Sequence, residues 1–75
     1  MDRELKCMMC NIAGLRRREG LSLGEMARQL GIGKNTLVRL EQGKLPPGLS
    51  VTVLFRIQAQ FGVTPKELFS KRLFP

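Results

Sequence analysis

The stretch from Ser22 to Gly43, SLGEMARQLGIGKNTLVRLEQG, constrains the fold more than any other part of the chain, because signals that start or stop a helix recur along it every few residues. The hydroxyl of Ser22 can accept from an early helical amide, and Glu25, three positions on, can reach back to the N–H of the capping residue. Leu21 and Met26 stand where a hydrophobic staple would close over that cap. Met26, Ala27 and Leu30 form one apolar stripe at helical spacing, and Gly31 supplies the residue without Cβ that turns left-handed at low cost to end a helix. A second helix starts behind Gly33, with Ile32 and Leu37 repeating the staple, runs to about Gln42 and is stopped by Gly43. The expected product is two short helices joined by a tight turn.

Leu37 and Leu40 face inward in this reading, so Lys34, Asn35, Val38, Arg39 and Gln42 point away from the core. A helix-turn-helix offers that outer face of its second helix to a DNA major groove. The flanking sequence extends the helical pattern. Leu5, Met8, Ile12 and Leu15 recur at three- and four-residue steps and predict a helix from about Asp2 to Arg18, ended by Gly20. Arg16, Arg17 and Arg18 in its last turn complement the negative end of the helix dipole. Pro46, Pro47 and Gly48 make the KLPPGL segment a loop. Beyond it Ser50 is expected to cap a helix carrying Val53, Leu54, Ile57 and Phe61 inward as far as Gly62. Thr64, Pro65 and Glu67 give cap, first-turn proline and capping-box acid for a last short helix holding Leu68 and Phe69. Five helices and no stretch of period-two alternation predict an all-α fold, a single domain over residues 1–75 with the helix-turn-helix proper at 22–43.

The chain carries 13 basic and 6 acidic side chains, a formal charge of +7 that favours an anionic partner, nucleic acid foremost. Split at residues 21 and 49, the segments carry +5−3, +4−2 and +4−1, so charge by itself does not mark the binding face. No apolar run is long enough to cross a membrane, and the acidic start, MDRELKCMMCN, lacks a secretory pattern, so a cytoplasmic location is expected. Cys7 and Cys10 form a lone CxxC in a chain with no histidine, whereas a zinc site needs four ligands; no metal site within one chain is expected. The two cysteines are read as a reduced pair on the first helix, one partly buried and one tolerated, with a disulfide between subunits or a site shared across a dimer as the alternative. No histidine, paired carboxylate cluster or glycine-rich phosphate loop is present to suggest an enzyme or a cofactor.

The pattern GLS, then E, M, A, then LGI, then T, L, R, L, E, G, and later RI, FG, V, P, ELF resembles the phage-repressor and Cro-like helix-turn-helix proteins, the XRE family, over roughly Ile12 to Phe69. Ala27, Gly31, Leu37 and Leu40 stand together at that family's small, turn and core positions. The resemblance implies a five-helix, lambda-repressor-like DNA-binding domain. It also implies that Lys34, Asn35 and Arg39 touch base edges, a role suited to side chains that pair with guanine or adenine, with Val38 limited to apolar contact such as a thymine methyl. On the same grounds Ser22, Arg28, Thr36, Gln42 and Lys44 are expected at DNA phosphates. Arg16 and Glu41 match positions that form an ion pair behind the recognition helix in relatives, a structural pair. Leu23 departs from the family's usual glutamine, and the loop from Lys44 to Ser50 is about two residues longer than in many members, so base readout would rest on few side chains. The function implied is a sequence-specific, double-stranded DNA-binding transcriptional regulator of the repressor type, working as a homodimer on an inverted-repeat operator. Leu68, Phe69, Leu73 and Phe74 are the expected dimer surface, exceeding what so small a core needs. An antitoxin or other protein-interaction module on the same fold is the competing reading.

Overall fold

The first helix buries far more than one stripe, and that organises the domain. In the computed structural model, which describes residues 3–74, five helices follow one another: α1 (Arg3–Arg18), α2 (Leu23–Leu30), α3 (Lys34–Glu41), α4 (Thr52–Phe61) and α5 (Pro65–Ser70). No strand occurs among the described residues. Met8, Met9, Asn11, Ile12, Ala13, Gly14 and Leu15 of α1 are all buried, because α5 packs on one side of α1 and α3 on another. Leu5, Met8, Ile12 and Leu15 are only one edge of that covered surface, and Leu5 is half-buried. The expected start of the helix at Asp2 lies outside the described residues.

The core joins Ile12 and Leu15 of α1 to Met26, Ala27 and Leu30 of α2, Leu37 and Leu40 of α3, Val53 and Ile57 of α4, and Leu68 of α5. Burial of each large aliphatic side chain contributes on the order of 1.5–3 kcal/mol, so this cluster supplies most of the drive to fold. Helices as short as α2 and α3, eight residues each, are marginal in isolation and hold their shape through this packing.

The caps differ in one place from expectation. Ser22 and Thr64 each close a capping box, with the hydroxyl accepting from the third helical amide and the glutamate returning to the cap's N–H. Ser50, by contrast, is not the N-cap of α4; Val51 is, in a right-handed helical conformation and without a side-chain cap. The Ser50 hydroxyl instead accepts from the Thr52 amide at 3.1 Å, two residues on. The Val53 and Leu54 amides bond to the Ser50 and Val51 carbonyls, an i to i+3 spacing that tightens the entry into α4. The physical reason is a hydroxyl turn over two residues competing with a helix cap for the same side chain.

A second correction concerns the end of the chain. Leu68 has no exposed surface and points into its own core, so it cannot serve as a dimer contact. Phe69, Leu73 and Phe74 are half-buried against that same core. The Phe74 ring lies on Gly14, where a Cβ would come within 2.6 Å of it, and the Arg18 guanidinium stands 5.2 Å from the ring centroid. Asn11 anchors this tail. Although only 1% exposed, its amide nitrogen donates to the Leu68 and Lys71 carbonyls at 2.9 and 2.8 Å, and its oxygen accepts from the Leu73 amide at 2.8 Å. Three bonds satisfy a buried amide whose burial would otherwise be costly, and together they fold residues 71–74 back onto α1.

Candidate nucleic-acid interface

The helix-turn-helix is built from local chemistry upward. The Ser22 hydroxyl accepts from the Glu25 amide at 3.1 Å, while the Ser22 N–H donates to the Glu25 carboxylate at 2.8 Å. That backbone donor, with the Ser22 hydroxyl behind it, holds the Glu25 carboxyl below its ordinary value. At the other end of α2, Gly31 adopts φ +73°, and the Ile32 amide bonds back to the Ala27 carbonyl at 3.0 Å. Only a residue tolerant of left-handed φ makes this turn without strain, and the turn fixes where α3 begins.

Gly33 leads into α3 with no side-chain cap. The helix buries Leu37 and Leu40 and leaves Lys34, Asn35 and Arg39 exposed, with Thr36 and Val38 half-buried. Lys34 and Val38, and Asn35 and Arg39, are four residues apart and therefore neighbours on the helix surface. The structure thus gathers these four side chains on the outward face of one rigid helix. At its end, Gly43 adopts φ +81° and the Lys44 amide returns to the Arg39 carbonyl at 2.9 Å, so Lys44 begins the loop just beyond the helix. Ser22, Arg28, Gln42 and Lys44 are all exposed.

Behind α3 stands an ion pair. Arg16 of α1 meets Glu41 with two bonds, Nε to Oε2 at 2.6 Å and Nη2 to Oε1 at 3.0 Å, and its Nη1 donates to the Leu21 carbonyl at 3.0 Å. The side chains are 19% and 13% exposed. The hydrogen-bonded Glu41 carboxylate raises the Arg16 proton affinity further above its already high ordinary value. One guanidinium therefore ties α1, the segment entering α2 and the last turn of α3 together. The negative charge of Glu41 is spent on this contact, leaving the outer face of α3 with only basic charges, Lys34 and Arg39.

The two cysteines are free, Cys7 half-buried and Cys10 exposed, and no cluster of three metal-ligating side chains occurs among the described residues. None of the described helices is long and apolar enough to cross a membrane. Sequence reasoning missed Asn11; an asparagine amid Cys, Met, Ile and Ala on a buried face was the available signal.

A five-helix fold with this helix pair at its surface is that of the all-α DNA-binding regulators of the lambda-repressor and Cro type. Residues 11–68 match the family model described as a helix-turn-helix domain, and the chain belongs to that family as an XRE-like member. The N-terminal DNA-binding domain of SinR from Bacillus subtilis superposes with a TM-score of 0.71 at 26% identity, covering 88% of this chain and 94% of that one. A chain of the SinR–SinI protein complex matches at TM-score 0.70 and 26% identity over 88% of this chain, which spans 63% of it. The restriction-modification controller protein C.AhdI from Aeromonas hydrophila shares the fold, with TM-score 0.69 and 23% identity over 87% of this chain and 96% of its own. No curated protein matches the chain at a significant level.

Proposed function

We propose that this regulator represses transcription by binding double-stranded DNA sequence-specifically as a homodimer in the cytoplasm, each copy laying α3 in a major groove. The observation that carries the reading is the division of α3: Leu37 and Leu40 are fully buried while Lys34, Asn35 and Arg39 stand exposed together on its outer side. Lysine and arginine suit guanine O6 and N7, asparagine suits adenine N6 and N7, and Val38 can lie against a thymine methyl. Ser22, Arg28, Thr36, Gln42 and Lys44 flank that face in sequence and would hold phosphates. At α2 the capping box occupies the third amide, so the Leu23 and Gly24 amides, which have no intrahelical acceptor, are the ones available to a phosphate there. One such helix reads few base pairs, whereas a two-fold dimer reads two half-sites about one helical turn, ~34 Å, apart.

Selection of the protein on a randomised duplex library at physiological salt, followed by sequencing, tests this. An enriched inverted repeat with that spacing is the expected outcome. Retention of random duplex with no enriched sequence would refute the specific-regulator reading.

A further inference from the structure

The longest uncharged run in this strongly basic chain is Leu45 to Phe55, eleven residues that begin just beyond Lys44 in the loop after α3, and between Lys44 and Lys66 the single charge is Arg56. That run contributes all three exposed large hydrophobic side chains among the described residues: Leu45 at 41%, Val51 at 67% and Phe55 at 62%. Val51, Leu54 and Phe55 lie along one side of α4. Beside them opens an apolar groove of about 470 Å³, walled by Leu5, Leu45, Leu49, Val51, Leu54 and Phe69. Arg56 leaves this side uncharged, since its guanidinium folds over Gly31 toward the Gln29 carbonyl at 3.5 Å.

We propose that this face is the self-association surface, with the Phe55 ring of each copy entering the apolar groove of a second copy of the chain. Electrostatics selects the occupant. Each copy carries +7, so two copies repel over most of their surfaces and approach at least cost where charge is missing. An acidic partner would instead be drawn to the basic surfaces this face lacks. Knob and groove adjoin on one face, so their exchange across a two-fold axis closes the assembly at two copies. The competing apolar surface, Leu73 and Phe74, is already engaged: the Asn11 bonds fold it onto α1 and the Phe74 ring sits on Gly14. Because the run lies close after α3 in sequence, a two-fold axis through it would set the separation of the two α3 helices. A face this small yields a modest dimer in solution, and two half-sites on one duplex raise the effective concentration enough to complete it.

The inference rests on the dimeric DNA-binding reading above, and the experiment separates the two. Sedimentation of the intact chain across a concentration series, alone and on a duplex holding both selected half-sites, is compared with Phe55→Glu and with Phe69→Glu. Phe55→Glu is expected to weaken self-association at least about tenfold, a loss of about 1.4 kcal/mol, and to fill the half-sites independently. Its melting temperature should match the parent's, because the ring is mostly in solvent. A Phe55→Glu variant as dimeric as the parent overturns the proposal, as does a parent that stays monomeric both free and on the duplex. Loss of dimer in Phe69→Glu with Phe55→Glu unaffected assigns the axis to α5 and overturns it too. Dimerisation through Phe55 without any DNA preference would uphold this surface and refute the DNA-binding reading.

Discussion

Removal of the Glu41 carboxylate tests how α3 is held from behind. With Glu41 in place the Arg16 side chain is 19% exposed; Glu41→Ala removes both of its carboxylate bonds and keeps only its bond to the Leu21 carbonyl. Two charges about 4 Å apart interact by about 4 kcal/mol at an effective dielectric near 20, and desolvation offsets part of that. Exposed pairs contribute 0.2–1 kcal/mol, whereas orphaning a fully buried charge costs roughly 3–5 kcal/mol. The partial cover places Glu41→Ala between them, at about 2 kcal/mol. For a domain of this size that lowers the melting temperature by roughly 8–16 °C. Thermal and urea unfolding by circular dichroism read the change, and a cycle with Arg16→Ala isolates the pair's own coupling, expected at 1 kcal/mol or more in order of magnitude. A Glu41→Ala protein melting within a degree or two of the parent, or a coupling below about 0.5 kcal/mol, would show the pair to be an ordinary surface contact and refute the reasoning.

Asn11→Ala removes at once the three hydrogen bonds that hold the tail, one buried and two part-buried, and leaves two carbonyls and an amide to find water; a loss of about 2–4 kcal/mol is expected by urea unfolding, with faster hydrogen exchange at Leu73. Lys34→Ala and Arg39→Ala should each cost about 1–3 kcal/mol on the selected operator and relax preference at one base pair, and equal losses on random duplex would demote the residue to a phosphate contact. Lys44→Ala should weaken all sequences alike and reduce the salt slope by about one, as read in binding titrations from low to high salt. The Glu25 and Glu67 carboxyls are held below their ordinary value of 4.5 by the N–H groups of Ser22 and Thr64. Their stabilisation is present above that value and is lost as pH falls through the lower folded-state values. Melts taken from pH 7 downward should therefore show stability dropping in the acid range, less steeply in a Glu25→Gln, Glu67→Gln variant; an unchanged slope would separate the boxes from the acid sensitivity.

Helix caps and turns are settled among neighbouring residues and can be read along the chain. Ser22 with Glu25, Thr64 with Pro65 and Glu67, and the left-handed glycines Gly31 and Gly62 act over a few residues, so the number of helices and most of their ends were legible. Periodicity likewise marked Leu37 and Leu40 as inward and thereby put Lys34, Asn35 and Arg39 outside. Ser50 shows the limit of local reading, since one hydroxyl could close either a helix or a two-residue turn. Tertiary structure decided which apolar residues were surplus to the core. Leu68 and Phe55 look alike in a hydrophobic count, yet α5 drives Leu68 against α1 while Phe55 stays 62% exposed among the described residues. It also decided Asn11, whose backbone partners in the tail lie 57 to 62 positions away, and the meeting of Arg16 with Glu41 across 25 positions. A hydrogen-bonding group cannot announce its partner when that partner arrives only through packing, so burial and satisfaction of polar groups belong to the folded chain, whereas caps and periods belong to the string of residues.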